Sequence, residues 1–371
     1  MSLQVAAGNN YTCAIKNGGA YCWGSNNVGQ LGDGTNITRT EPTKVLNLDK
    51  NVTKISAKHE HTCAIKDGAL FCWGAGGLGR TGLKDGHDLS PPKRVEGLTR
   101  NVKEVGVGGG HTCVIQDDNV KCFGWNALGQ LGNGNKNNSF EPVLALKGGV
   151  TKLSVGKDSA CAIQNDILKC WGYNKHNHTK LESNEDVLLP ERVFKMPGQV
   201  KDVSVGDIHT CAISSGGVYC FGSNSGGKLG DGALSFFKKE KKHDKKEHKD
   251  NREHPFIKLL KQKEVISVSG LNEGVTSIDS SDSNTCAIKE GSLKCWGNNM
   301  AGFLFLKSRT DTNFPDDVIG VDFRVKQIAS GFNHRCVISS DDKLYCWGYN
   351  GFGQIGNKKA SGAQGATLVD F

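Results

Sequence analysis

This chain lacks helical periodicity: no segment repeats apolar residues at 3.6-residue spacing over several turns. Proline is scarce, with eight residues, which excludes a Pro-rich disordered chain. No apolar run approaches the ~18–20 residues of a membrane-spanning helix. Met1 to Lys16 shows neither the basic start nor the apolar stretch of a signal peptide. The enzyme signatures Gly-x-Ser-x-Gly, Gly-x₄-Gly-Lys-Ser/Thr and His-Glu-x-x-His do not occur. Gly-x-Gly strings do occur, but without the strand, glycine loop and helix that cradle a phosphate. The expectation is therefore no catalytic residue, no cofactor and no metal.

Glycine is abundant, at 49 of 371 residues, about twice its usual share. Apolar stretches of four to six residues alternate with Gly, Asn and Asp, the signature of short strands and tight turns. The length exceeds the ~250–300 residues at which a single core stops growing, so a repeat array is the expected solution. The net charge of +8 is concentrated. Residues 238–263 hold eleven Lys/Arg against five acids, a net +6, which leaves the rest nearly neutral. Nucleic acid is accordingly not an expected partner.

The cysteines reveal the repeat. They fall into seven pairs: Cys13 with Cys22, Cys63 with Cys72, Cys113 with Cys122, Cys161 with Cys170, Cys211 with Cys220, Cys286 with Cys295, and Cys336 with Cys346. Successive first members lie 50, 50, 48, 50, 75 and 50 residues apart. The long interval contains the Lys-rich stretch, read as a surface insertion at 236–263 between the fifth and sixth repeats. A period of about 50 with some four short strands is what a propeller blade needs. The fold expected is all-β: one domain over 1–371, a seven-bladed β-propeller with four antiparallel strands per blade. Between Cys13 and Cys22 the midpoint is Asn17-Gly18, a favoured type I′ turn. Such a turn pairs Lys16 with Gly19 and brings Cys13 opposite Cys22, within reach of a disulfide. The seventh unit has one extra residue, as in a three-residue loop at Ser340-Asp341-Asp342. The C-terminal segment Ala366 to Phe371 is expected to pair into the blade begun by residues 4–23.

His61-Thr-Cys-Ala-Ile65, Cys22-Trp-Gly-Ser-Asn26 and Gly29-Gln-Leu-Gly-Asp-Gly34 recur around the array, and Gly129-Gln-Leu-Gly132 and Gly353-Gln-Ile-Gly356 repeat the last. In these motifs the chain resembles the regulator of chromosome condensation repeat family, in a Cys-paired form resembling its exported members. The resemblance covers residues 3–371 apart from the insertion. Three loops depart: Asn174 to Thr179, Gly79-Arg-Thr-Gly82 and Gly302-Phe-Leu-Phe305 are read as irregular or specialised.

Fourteen paired cysteines predict seven disulfides and an extracellular, periplasmic or cell-surface location; free buried thiols in the cytoplasm are the alternative. Zinc would need a closer knuckle spacing. His61, His111, His209 and His334 precede a first cysteine by two residues and are expected to hydrogen-bond within the turn. Trp23, Trp73, Trp171, Trp296 and Trp347, with Phe123 and Phe221, read as packing between blades. Sequons stand at Asn10, Asn36, Asn51, Asn137 and Asn177. The function expected is a monomeric, non-enzymatic scaffold that binds a partner protein through loops on a propeller face. Trp125, Arg80, Lys175, His176, His178, Lys238 and Lys239 are the candidate contacts. The alternative implied by the resemblance is guanine-nucleotide exchange on a Ran-like small GTPase, although no wedge element or basic tail can be placed.

Overall fold

The computed structural model describes residues 3–84, 86–232, 261–299 and 302–371. They form seven four-stranded antiparallel sheets, the blades of a ring. The first blade comprises β1 (Gln4–Ala7), β2 (Tyr11–Lys16), β3 (Gly19–Gly24) and β4 (Arg39–Lys44). The others are β5–β8 (52–94), β9–β12 (102–146), β13–β16 (150–192), β17–β20 (200–267), β21–β24 (275–317) and β25–β28 (325–368). First strands from all seven blades line a narrow central channel of about 220 Å³, with Val5, Ile55, Val105, Leu153, Val205, Ser280 and Ile328 among its walls. Fourth strands form the rim. Pro42, Pro92, Pro142, Pro190 and Pro315 all lie on them, because an edge strand can spare the ladder donor that proline lacks.

The central hairpin follows from its turn. Asn17 and Gly18 take φ of 53° and 81°, the two positive angles a type I′ turn requires. Lys16 pairs with Gly19 and Cys13 with Cys22, as expected. The same cross-strand register sets Cys63 opposite Cys72, Cys113 opposite Cys122, Cys161 opposite Cys170, Cys211 opposite Cys220, Cys286 opposite Cys295, and Cys336 opposite Cys346. All seven pairs stand at disulfide distance, with S–S distances of 2.06–2.12 Å and Cα atoms 4.0–4.1 Å apart. Those Cα separations are a little shorter than the ~4.4–6.8 Å usual for a disulfide, because the hairpin sets directly opposed, non-hydrogen-bonded residues close together. Among the described residues no cysteine is free. In the seventh blade Asp342 takes the left-handed φ of 63° that closes the three-residue loop.

Two expectations are corrected. The C-terminal strand β28 (Ser361–Leu368) pairs with β27 (Leu344–Asn350) of its own blade, not with the first. A blade's outer strand is the one that follows its hairpin, so β4 already fills the first blade's rim. Side chains close the ring instead. Gln327 Nε2 donates to the Val5 carbonyl at 3.1 Å, and Phe371 packs edge-on against Tyr21 and Trp23 at 5.5 and 5.9 Å. The Lys-rich insertion, for its part, interrupts the fifth blade between β19 (Gly217–Ser223) and β20 (Lys261–Ser267). Residues 233–260, including Lys238 and Lys239, lie outside the described residues.

The cores lie between blades, not within them. Strand alternation sends Cys13 and Ile15 toward the second blade, where they meet Val52, Ala64 and Trp73. Ala14 and Trp23 turn back to Cys336, Ile338 and Ile355 of the seventh. A polar clasp runs through six of the seven apolar interfaces among the described residues. In the second blade Thr62 Oγ1 donates to the Gln30 carbonyl at 3.1 Å, and Trp73 Nε1 donates to the same oxygen at 2.8 Å. Gln354 of the seventh blade receives Thr12 at 2.8 Å and Trp23 at 2.9 Å.

The histidines join this clasp and not their own turns, which corrects the sequence expectation. His334 Nε2 lies 2.8 Å from Thr12 Oγ1, His61 Nε2 2.9 Å from Thr112 Oγ1, and His209 Nε2 2.7 Å from Thr285 Oγ1. For Thr12 and Thr112 the single hydroxyl proton goes to a loop carbonyl, so the imidazole must donate and carries its proton on Nε2. Tyr11 substitutes by donating to the His61 carbonyl at 2.8 Å. Only one histidine in this position lacks its threonine: Ala160 stands opposite His111, and neither His111 nitrogen has a partner.

Thr112→Val strands the Arg80 carbonyl and the His61 Nε2 proton, and should destabilise by about 1–3 kcal/mol. Ala160→Thr supplies the missing hydroxyl and should stabilise by about 0.5–1.5 kcal/mol. Denaturant midpoints measure both, and a destabilising Ala160→Thr would refute the clasp as a transferable unit.

Candidate partner-binding face

The turn between the first and second strands of each blade emerges at one end of the channel. It projects the residue four places before the first cysteine: Asn9, His59, Gly109, Lys157, Asp207, Asp282 and Phe332, one per blade. The residue before it is glycine in five blades. A Cβ at Gly206 would lie 2.5 Å from the Ser281 carbonyl of the next blade, so the close approach of neighbouring turns demands glycine there. In the second blade that place is Lys58. Its ammonium crosses the channel mouth and donates to the carbonyls of Val155 and Val205 at 3.2 and 3.1 Å.

The loop between third and fourth strands emerges at the same end. Its frame is a buried asparagine. Asn26 Oδ1 accepts from Leu31 N at 3.0 Å, while its Nδ2 donates to Asp33 Oδ1 and to the Thr35 and Ile37 carbonyls. The loop of the fourth blade is not irregular, although its sequence departs. Asn174 Oδ1 accepts from Thr179 N at 2.9 Å, and Asn177 takes φ 58° where Gly29 takes 76°. Asparagine is among the few residues other than glycine that tolerate that angle. Aligning loops by this frame places Gln30, Arg80, Gln130, His178, Lys228, Phe303 and Gln354 at one position.

Of the sequence candidates, Arg80 and Trp125 share a pocket of about 510 Å³ with His59, Glu60, Lys157 and Asp158. Arg80 is held there by the Gly77 and Gly109 carbonyls at 2.9 and 2.8 Å. Lys175 is exposed and His176 half-buried, with the His176 ring 5.9 Å from Tyr173. His178 has no surface: it is fully buried and its carbonyl accepts from Thr210 at 2.7 Å, so its ring packs the loop from within.

Sequence reasoning missed two sets of residues on this face. The ring of turn residues was legible as a fixed offset from each cysteine pair. An aromatic group was not: Phe303, Tyr349 and Phe352 lie in sequence at 6.0 and 6.4 Å between centroids, and Phe332 and Leu78 are exposed at 49% and 47%.

The electrostatics of the mouth are set by burial. Burial, followed by the neighbouring Asp282, pushes the Asp207 carboxyl up to about 7. Burial drives His59 down to about 4, and Lys58, Lys157 and Arg80 add to it despite the pull of Asp282. Burial also lowers Lys228, against the attraction of Asp207, Asp282 and Asp311.

The profile of the regulator of chromosome condensation (RCC1) repeat matches residues 17–65, 67–115 and 117–163, and a second profile of the same description matches 3–30, 200–228 and 325–354. Together they cover more than half of the chain. The chain belongs to the regulator of chromosome condensation repeat family. The first profile begins at the hairpin tip, so one sequence repeat of the family spans halves of two adjacent blades. Over 84 residues the chain is 31% identical to the ultraviolet-B receptor UVR8 of Arabidopsis thaliana, a match spanning 22% of this chain and 19% of that protein. Its fold is similar to human WBSCR16, with a TM-score of 0.74 at 22% identity, covering 91% of this chain and 87% of that one. It is similar to Prp20p from Saccharomyces cerevisiae, with a TM-score of 0.72 at 15% identity, covering 100% and 88%. A looser likeness, TM-score 0.53 at 16% identity over 97% of each chain, is to the ectodomain of the Arabidopsis thaliana receptor kinase ACR4.

Six histidines are held neutral by burial. His111, His178 and His334 are lowered to about 3, His59 to about 4, and His61 and His209 lie well below the usual value. In the unfolded chain each takes a proton near 6.5. Their contribution is therefore complete above pH 6.5 and lost as the pH falls toward their folded values. Asp207 acts in the opposite sense, since its raised carboxyl favours the folded state as pH falls from 7 toward 4, and burial raises Asp158, Asp202 and Asp279 in the same direction. Six histidines outnumber these four carboxyls. Between pH 7.5 and 5.5 stability should drop by about 1 kcal/mol per histidine, less what the four carboxyls return. A denaturant midpoint that holds or rises on acidification would refute this account.

Proposed function

We propose that this protein is a non-enzymatic, exported scaffold that docks a partner protein on the channel-mouth face. The observation that carries this reading is the concentration of partly exposed aromatic side chains there: Trp125, Tyr173, Phe303, Phe332, Tyr349 and Phe352, with Arg80 beside Trp125. Aromatic residues and arginine are the groups that dominate binding energy at protein interfaces. The opposite face carries the exposed Phe194 and Phe371, and its short hairpin turns are laced by exposed pairs, such as Lys103–Asp118 and Lys201–Asp166, both at 3.0 Å. Such pairs contribute little. Export rests on the disulfides, which persist in oxidising compartments and are rare in the cytosol. The likeness to the ACR4 ectodomain accords with it. Among the described residues no helix is long and apolar enough to cross a membrane.

Nucleotide exchange is the competing reading. It rests on the family and on Prp20p, whose structure was reported together with its binding to Gsp1p and histones. A Ran-like GTPase preloaded with fluorescent nucleotide separates the two. The scaffold reading expects unchanged release, and acceleration by this chain would sink it.

Host cells quenched in acid, alkylated and analysed by intact mass before and after reduction should show seven disulfides; fourteen free thiols would place the chain in a reducing compartment. Capture of host surface proteins on immobilised chain should yield a partner whose affinity falls about ten-fold or more when Trp125→Ala and Tyr349→Ala are combined. A partner unaffected by that change but lost on altering the hairpin turns would assign docking to the other face.

A further inference from the structure

Around the channel mouth the turns of the second, fifth and sixth blades bring His59, Asp207 and Asp282 together. One ligand atom from each lies within 4.8 Å of the others. The second blade is no sequence neighbour of the fifth and sixth, so the convergence is a product of ring closure. We propose that His59, Asp207 and Asp282 form a divalent transition-metal site that bridges the channel mouth.

Three observations support the site. First, it contains an imidazole as well as carboxylates, a mixed donor set that suits Zn²⁺ or Mn²⁺ over Mg²⁺ or Ca²⁺. Second, His59 Nε2 and Asp207 Oδ1 are shielded from solvent and have no hydrogen-bond partner, although buried polar atoms are almost always satisfied. A cation would satisfy both. Third, two flanking ammonium groups leave the site open. Lys58 is committed to the Val155 and Val205 carbonyls. Lys157 approaches Asp207 only to 4.0 Å. Three protein ligands would leave coordination positions open to water or to a group of the docked partner.

Lys157 competes with a metal for Asp207, which gives the proposal a sign that generic binding lacks. Chelator-treated protein titrated with ZnCl₂ or MnCl₂ should bind one equivalent calorimetrically. Affinity should fall at least about ten-fold in His59→Gln, Asp207→Asn and Asp282→Asn. In Lys157→Ala it should rise about two- to five-fold, the worth of one exposed ion pair. The two Asn variants keep side-chain size and remove a carboxylate–carboxylate repulsion, so folding is retained. Binding should also raise the melting temperature of the wild type, since the ion ties three blades together. A zinc X-ray absorption spectrum of the wild type should show one imidazole. Two or more imidazoles would place the ion elsewhere, for example on His243, His248 and His254 of the insertion, and overturn the proposal. So would an affinity that all three ligand substitutions leave unchanged.

Discussion

A main-chain oxygen at six of the seven interfaces organises this propeller. The carbonyl of the second residue in the Gly-Gln-Leu-Gly-type loop faces the next blade. At the first-to-second and seventh-to-first interfaces it receives two donors there, a threonine hydroxyl one residue before the cysteine and an indole N–H one residue after its partner, and at four others it receives one of the two. A carbonyl has two lone pairs, so both bonds are accommodated. Each hydrogen bond contributes only about 0.5–1.5 kcal/mol net. Their effect is directional: the indole cannot rotate and the threonine cannot slide without stranding a buried acceptor. The apolar interface supplies most of the energy, since a buried Trp-sized side chain is worth about 3–5 kcal/mol. The shared oxygen fixes where that side chain sits.

The departures from the repeat obey the same constraint. Indole bonding is missing at three interfaces, the second to third, fourth to fifth and sixth to seventh blades. Phe123 and Phe221 stand in place of tryptophan at the first two, and Trp347 Nε1 has no partner among the described residues at the third. The loops facing these positions are the three that depart from the motif: Gly79 to Gly82, Asn174 to Thr179 and Gly302 to Phe305. Elsewhere the second glycine is enforced by the indole itself. A Cβ at Gly32 would lie 2.8 Å from Trp73 Nε1, and the backbone there takes φ 68°. Removing the indole relaxes the demand on the loop, so Lys180 occupies the glycine's place opposite Phe221. That exchange between contacting positions is confined to the fourth-to-fifth interface: Gly82 stays glycine opposite Phe123, and Phe305 takes the glycine's place although Trp347 is retained.

Much of this was readable before any coordinates. Blade number, hairpin register and disulfide pairing followed from the fixed cysteine offset, because a two-residue turn leaves one register. The ring closure did not, because strand order depends on which side of a hairpin the next strand approaches, and the turn residues do not encode that. The clasp was also hidden. His61 and Thr112 are 51 residues apart, and only the rotation from one blade to the next brings them into contact. At the site, Arg80 and Trp125 were identified singly, but their common pocket is a product of curvature. His178 was misjudged because the loop frame set by Asn174 turns an apparently free side chain inward.

The division of labour explains how one face can vary while the ring persists. Within a blade, the disulfide fixes the hairpin on the side facing the next blade. Between blades, the clasp uses a backbone carbonyl, and the side chain attached to that residue is not part of it. Gln30, Arg80, Gln130, His178, Lys228, Phe303 and Gln354 therefore occupy equivalent places with unrelated chemistry. The turn residues from Asn9 to Phe332 likewise differ from blade to blade. The clasp's acceptor is an atom that every residue possesses, and the mouth is lined by side chains that differ. That separation is what lets His59, Asp207 and Asp282 meet over the channel without any change to the blades that hold them.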